Sequence, residues 1–260
     1  MLTLENINFS YDNRNALHDI CCAIAPGTLT ALIGPNGSGK TTLLKVSAGL
    51  LDSYSGRVKI NNSDIRKINP LERSRLVSFA PSGVDFPFEF TVREAVSQGR
   101  SPHLDLLGNL SKEDERIIEE TIHRMSLSEF VNRSVNRLSQ GERERVIIAR
   151  HLAQDAPFML FDESLAHLDL VHRLALIDEL KRLSSLGKAI VVAIHEIEFA
   201  ARYFPNVILI SNGKIVASGS CTDVIKPETL AMAYNLDFKI IEGNNPEELT
   251  ILPRQRKRDS

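Results

Sequence analysis

Residues 34–41 read Gly-Pro-Asn-Gly-Ser-Gly-Lys-Thr and fit G-x-x-x-x-G-K-[ST], a spacing that builds a phosphate cradle. Its glycines let the backbone close round an anion with the N–H groups pointing inward. A helix starting at the end of the loop turns its positive pole toward the same anion. Within the nucleotide-binding run Asn36, Gly37, Ser38, Gly39, Lys40, Thr41 and Thr42, Lys40 is expected to hold the β and γ phosphates and Thr41 to put its hydroxyl on Mg²⁺. Thr42 and the amides of Gly37 and Gly39 complete the phosphate contacts. Asp162-Glu163 closes the apolar run 157–161, placing two carboxylates at the carboxyl end of a buried strand, where ligands of parallel sheets bind. Asp162 suits the Mg²⁺ shell, usually through water, and Glu163 could orient or deprotonate an attacking water. Alone such a pair is a common way to begin a loop. Beside a phosphate cradle it supplies what Mg²⁺-nucleotide hydrolysis needs. Leu138-Ser139-Gln140-Gly141-Glu142 precedes a helix-patterned run with Val146, Ile147, Ala149 and Leu152. Ser139 and Glu142 make a capping box, and the same helix terminus offers a hydroxyl, free amides and a positive dipole to a second phosphate.

These groups require strands that end beside helix starts. The run 29–33 is apolar and leads into the loop, and 41–46 is helical in pattern. Residues 2–34 cluster as strands, with polar turns at 11–15 and at Pro26-Gly27. Further strands are expected at 57–60 and 76–80. Thr91 and Glu94 form a capping box that opens a mostly helical insertion reaching about residue 138; its best-defined helix starts near Ser111, with Asp114 in the first turn and Ile118, Ile122 and Met125 on one face. Runs 157–161 and 189–194 read as buried strands, with Leu170, Leu174, Ile177 and Leu180 marking a helix face between them. Strand segments 207–210 and 215–217 flank Asn212-Gly213, the strongest short hairpin signal. The alternation of strands and helices predicts an α/β fold.

At 260 residues the chain can bury a full core, and 43% hydrophobic with 25% charged residues is ordinary globular composition. Net charge is -2 and the one basic run lies at 254–258, so no broad footprint for nucleic acid exists; that run reads as a solvated tail. Cys21, Cys22 and Cys221 give an odd count without C-x-x-C spacing, which fits reduced thiols in a cytosolic protein. The first residues lack the pattern of an export leader, and no apolar run approaches membrane-spanning length. The expected location is cytoplasmic.

Residues 34–42, the segment 138–142 ahead of Walker-B-like 158–163, the later Leu168-Asp169, and His195 after a strand together resemble the ATPase subunits of ATP-binding-cassette transporters. The order and spacing match over nearly the whole chain, and Leu-Ser-Gln-Gly-Glu looks like a variant of the family's Leu-Ser-Gly-Gly-Gln. The resemblance implies a P-loop NTPase core of the RecA-like kind with a mostly parallel sheet, an N-terminal antiparallel β subdomain and a helical insertion. It implies one domain over 1–250, with the β subdomain and first part of the core in 1–90, the helical subdomain in 91–138, the remainder in 139–250, and a polar, basic tail at 251–260. Tyr11 would stack on adenine. Ser139 and Gly141 would contact the γ-phosphate held by the opposite protomer of a head-to-tail homodimer, and Asp169 would cross that interface; without a partner it is simply a good helix N-cap. His195 would be the switch histidine near the γ-phosphate.

Two departures stand out. Where the family has a glutamine after the strand at 76–80, this chain has Ser82, two methylenes shorter and without the amide, so Ser82 would reach Mg²⁺ through a water or leave the metal contact weaker. Asp85 lies nearby as an alternative hard ligand, though a solvated loop carboxylate is the more ordinary reading. Ser164 replaces the proline usual after the catalytic glutamate, a milder change. Residues 86–96 followed by Gly99-Arg100-Ser101-Pro102-His103 look like the importers of iron-siderophore, haem and cobalamin, with Phe86 and Phe88 as candidate anchors for a permease helix or as packing of the helical lobe. The function expected is an ATP- and Mg²⁺-dependent ATPase on the cytoplasmic face of the inner membrane, driving a metal-chelate permease served by a periplasmic binding protein. The alternative is a nucleotide-gated assembly or regulatory module with impaired hydrolysis.

Overall fold

The computed structural model describes residues 1–12, 14–81, 83, 86, 88–241 and 249–254. Strands β1 (Leu2–Tyr11) and β2 (Arg14–Ile24) form a hairpin, β3 (Leu29–Ile33) follows, and α1 (Lys40–Ser47) starts beyond the glycine-rich loop. Then come β4 (Ser55–Ile60), β5 (Ser63–Asp64), α2 (Pro70–Leu76) and β6 (Val77–Ala80). Helices α3 (Val92–Ser97), α4 (Lys112–Arg124) and α5 (Gln140–Ala153) make the insertion. The core resumes with β7 (Phe158–Asp162), α6 (Leu170–Ser185), β8 (Ala189–Ala193), α7 (Ile197–Tyr203), β9 (Asn206–Ser211) and β10 (Lys214–Ser220). Helices α8 (Cys221–Val224) and α9 (Pro227–Tyr234) and strands β11 (Asp237–Ile241) and β12 (Thr250–Arg254) complete the described chain.

Six strands in the order β10-β9-β3-β8-β7-β6 form the central sheet, parallel except for β10 at one edge. An antiparallel sheet β2-β1-β4-β5 lies beside it. The fold is thus the expected α/β cassette. Every residue of β7 and β8 is buried, as strands covered on both faces must be. Because side chains alternate along a strand, Met159, Phe161, Ile190 and Val192 join the helices, whereas Phe158, Leu160, Val191 and Ala193 pack toward α1 and the N-terminal sheet. The insertion has no core of its own: Val92, Ile118, Ile122 and Ile147 share one cluster with Phe161. It is tied down by a buried pair, Arg100 to Asp114 at 2.7 Å, whose guanidinium also donates to the Ala153 carbonyl at 2.8 Å. Buried charges persist only when so partnered.

Three expectations need correction. Leu170 is 66% exposed, and the buried stripe of α6 is Leu176, Ile177, Leu180 and Leu183; the first turn of that helix projects beyond the core. Residues 70–75, for which the sequence pattern predicts no element, form most of α2, which is capped by Asn69 and has no buried side chain. Residue 76 accordingly ends that helix rather than starting β6. The expected tail from 251 begins instead as β12, paired with β11 from Ile241 and Thr250 to Asp237 and Arg254. Residues 255–260 lie outside the described ones.

Candidate functional site

Helix α1 begins at Lys40, and Gly39, its N-cap, has φ 107°. A Cβ there would lie 2.8 Å from the Ala16 carbonyl oxygen, so only glycine lets the loop turn this close to β2. Lys40, 4% exposed, donates from Nζ to the carbonyl oxygens of Gly34 at 2.9 Å and Pro35 at 3.2 Å. Burial lowers its ammonium, opposed by the charges of Glu163 and Asp162. Ser38 Oγ is buried and has no hydrogen-bond partner among the described residues.

The carboxyl end of β7 carries the acidic pair. Thr41 Oγ1 donates to Asp162 Oδ1 at 3.1 Å. Burial raises the Asp162 carboxyl, while the Thr41 hydroxyl and the charges of Lys45 and Lys40 pull it down and the Glu163 charge adds to the rise. A hydroxyl and a carboxylate at this distance are hard oxygen donors of the kind Mg²⁺ takes together with phosphate oxygens. Among the described residues no cluster of three or more His, Cys, Asp or Glu could hold a metal, so a cation held by Thr41 and Asp162 would take the rest of its shell from water and phosphate oxygens. Glu163 has φ 54°, a left-handed conformation rare outside glycine, and His195, just past β8, brings Nε2 to 2.6 Å from its Oε1.

Tyr11, Asn36, Gly37, Gly39, Lys40, Thr41, Thr42, Glu163 and His195 line one cleft of ≈ 450 Å³. The structure brings these predicted residues together. Tyr11 is 44% exposed and meets Phe9 edge-on at 4.7 Å. The same cleft is lined by Arg14, His18 and Asn212, which the motif did not supply. The signal for Asn212 was present, since Asn212-Gly213 forms the expected turn with φ of 48° and 73°, but its second role depends on tertiary placement. Gly213 N–H donates to the Ser38 carbonyl at 2.9 Å and its own carbonyl accepts from His18 N–H at 2.8 Å. From behind, Tyr234 presents a buried hydroxyl; burial pushes it up to about 12, with the Gly34 amide working the other way.

Ser139, Gly141 and Asp169 are not among the cleft-lining residues. Ser139 Oγ accepts from Glu142 N–H at 3.3 Å and its N–H donates to the Glu142 carboxylate at 2.7 Å, the expected capping box. Asp169 caps α6, accepting from His172 N–H at 2.9 Å. Gly141 faces the His167 carbonyl, so the start of α5 and the segment leading into α6 are neighbours. Ser82 and Asp85 lie outside the described residues. Of the two candidate anchors, Phe86 is buried with the Arg150 guanidinium 5.4 Å above its ring, whereas Phe88 is 66% exposed.

The ABC transporter family model matches residues 17–166. The iron(3+)-hydroxamate import ATP-binding protein FhuC of Bacillus subtilis is 34% identical over 253 residues, 96% of this chain and 94% of that protein. A cobalamin import ATP-binding protein of Halobacterium salinarum is 35% identical over 246 residues, 94% of this chain but 61% of that longer protein. An ATP-binding cassette solved as a dimer in a post-hydrolysis state with ADP and Pi superposes with TM-score 0.74 at 27% identity, covering 85% of this chain and 99% of that one.

Proposed function

The chain belongs to the ABC transporter family, and from that premise we propose that it is the ATP-binding and hydrolysing subunit of an importer of metal chelates of the siderophore, haem or cobalamin kind. One observation carries the reading: Lys40, the Thr41–Asp162 pair and the Glu163–His195 pair converge on one cleft beneath a glycine-rich loop.

Tyr11 takes the adenine on its open face. Backbone amides of the loop and Lys40 take the phosphates, for which Lys40 exchanges its bonds to the loop carbonyls. Thr41 and Asp162 would hold Mg²⁺, which when bound screens phosphate charge as a Lewis acid. Ser82, from its place in the sequence, is assigned to the same metal. Glu163 orients the water and accepts its proton as the new oxygen–phosphorus bond forms and the bond from the γ-phosphorus to the β,γ-bridging oxygen breaks, the electron pair leaving with ADP. His195 fixes that carboxylate and faces the terminal phosphate.

Ser139, Gly141 and Asp169 lie away from their own cleft and serve the cleft of a second copy, in a head-to-tail homodimer. Closure of that dimer on ATP, and its release after hydrolysis, works the permease. Among the described residues no helix is long and apolar enough to cross a membrane. By its likeness to import ATP-binding proteins, the subunit is assigned to the cytoplasmic face of membrane-spanning partners, with a binding protein delivering cargo on the other side. Phe88, exposed at the edge of the helical lobe, is the anchor offered to the permease. The test is ATP hydrolysis by the purified chain, alone and with its permease in lipid. Turnover that rises with permease supports the reading; nucleotide binding without turnover in both samples points to a gated regulatory module instead.

A further inference from the structure

The nucleotide cleft has a cation that neither the phosphate loop nor the carboxylate pair accounts for. Arg14 lines the cleft, and its Nη2 lies 3.5 Å from where a Cβ on Gly37 would stand, so the guanidinium rests against the loop backbone. Arg66, Arg93, Arg100, Arg116 and Arg182 are all held by carboxylates. The Arg14 side chain has no hydrogen bond or ion pair among the described residues. Its place along the cleft is fixed by strand pairing, because Arg14 stands directly across from Tyr11 at the end of the β1–β2 hairpin. Glu163 and His195, which mark the hydrolytic end, approach from β7 and β8 in the central sheet.

Resting on the assignment of this cleft to ATP, we propose that Arg14 is a substrate-binding residue that grips the α and β phosphates, the part of the chain between the ring on Tyr11 and the terminal phosphate at Lys40. A planar guanidinium suits this task because it delivers two parallel N–H donors to one phosphate and keeps its charge at every physiological pH. With no carboxylate partner among the described residues, Arg14 gives up no ion pair to bind, and the cost of the contact is the ordering of one long side chain. A hydrogen bond to a charged group is worth enough to change affinity about tenfold or more. Both ATP and ADP carry the contact; adenosine does not.

Equilibrium titration with Mg·ATP, Mg·ADP and adenosine tests the proposal on wild type, Arg14→Ala, Arg14→Lys and Lys40→Ala. Arg14→Ala weakens ATP and ADP alike by about tenfold, leaves adenosine unchanged, and Arg14→Lys recovers part of the loss. The gap between wild type and Arg14→Ala narrows as salt is raised. Melting of the nucleotide-free proteins is the same for both, while nucleotide raises the melting temperature less in the variant; Arg14→Gln serves if Arg14→Ala does not fold. Unchanged ATP and ADP affinities overturn the proposal, as does a loss confined to ATP or one shared with adenosine. If wild type binds no nucleotide and Lys40→Ala changes nothing, the ATP reading of the cleft falls. If wild type binds and only Lys40→Ala abolishes it, Arg14 alone is wrongly assigned.

Discussion

His195 Nε2 and Glu163 Oε1 meet at 2.6 Å across the ends of two neighbouring parallel strands. The contact restrains a carboxylate whose backbone is already in a left-handed conformation, and restraint of this kind is what a water-orienting base requires. Glu163→Gln keeps shape and loses basicity, so phosphate release falls by roughly 100-fold or more while ATP affinity stays within about twofold. His195→Ala lowers the same rate by a smaller factor. Single-turnover phosphate release beside equilibrium binding separates the two effects.

The bond from Thr41 to Asp162 ties the first turn of α1 to the end of β7. Thr41→Val preserves volume and removes the oxygen, so Mg·ATP binding weakens by about tenfold, whereas binding of ATP in excess EDTA barely differs from wild type. Titration with and without chelator checks this. Equal losses in both conditions would place Thr41 on phosphate alone.

Gly213 sits in a left-handed turn with the Ala16 carbonyl oxygen 2.6 Å from where its Cβ would be. Gly213→Ala therefore strains the backbone and pushes β10 off β2, costing on the order of 1–3 kcal/mol of stability. Because Gly213 N–H also holds the Ser38 carbonyl, ATP affinity falls with it. Chemical denaturation and nucleotide titration of the variant test both parts; a stable variant with normal affinity refutes the clamp.

Glu144 on α5 is 4% exposed, with Oε1 buried and unpartnered among the described residues, and burial raises its carboxyl from 4.5 to about 7. Below the unfolded value the group is protonated in both states. As pH rises from 4.5 toward 7 the unfolded chain ionises first, so stability is lost across that window and the loss levels off above it. Glu144→Gln removes the effect: its unfolding free energy matches wild type near pH 4.5 and exceeds it at pH 8 by roughly 3 kcal/mol, and its melting temperature rises accordingly. Melting curves across that range decide it.

Phe88 projects into solvent beside Phe90, the rings edge-on at 5.8 Å. Phe88→Ala leaves hydrolysis by the isolated chain unchanged and lowers the stimulation given by permease severalfold, as loss of one aromatic anchor does at an interface. An unchanged stimulation would move the docking site elsewhere.

The cradle, the acidic pair and the buried strands were legible because each is a local pattern with one physical solution. Phe158–Phe161 is apolar on both faces and runs into Asp162 and Glu163, and few folds accept such a run except in a central parallel sheet. Helix α2 was not legible because it buries no side chain, leaving no stripe to read. Leu170 misled because leucine at helical spacing looks the same whether or not a core reaches that turn. Phe86 and Phe88 differ only by position on a loop, yet one lies beneath Arg150 and the other faces solvent. Arg14 and Asn212 belong to the cleft because the β1–β2 hairpin and the β9–β10 turn are each brought against the glycine-rich loop, an approach that spacing along the chain does not encode.

The order in which the chain is made adds a last consequence. Strand β3 lies between β8 and β9 in the finished sheet, and the loop beyond it is held through Gly213, all of which leave the ribosome long after residues 29–41. At ordinary rates of synthesis roughly ten seconds or more separate the emergence of the ATP loop from that of the turn that shapes it. During that interval an apolar strand waits without neighbours on either side. Nucleotide binding, which needs the loop as that turn shapes it, therefore cannot contribute to stability until nearly all of the chain has been translated.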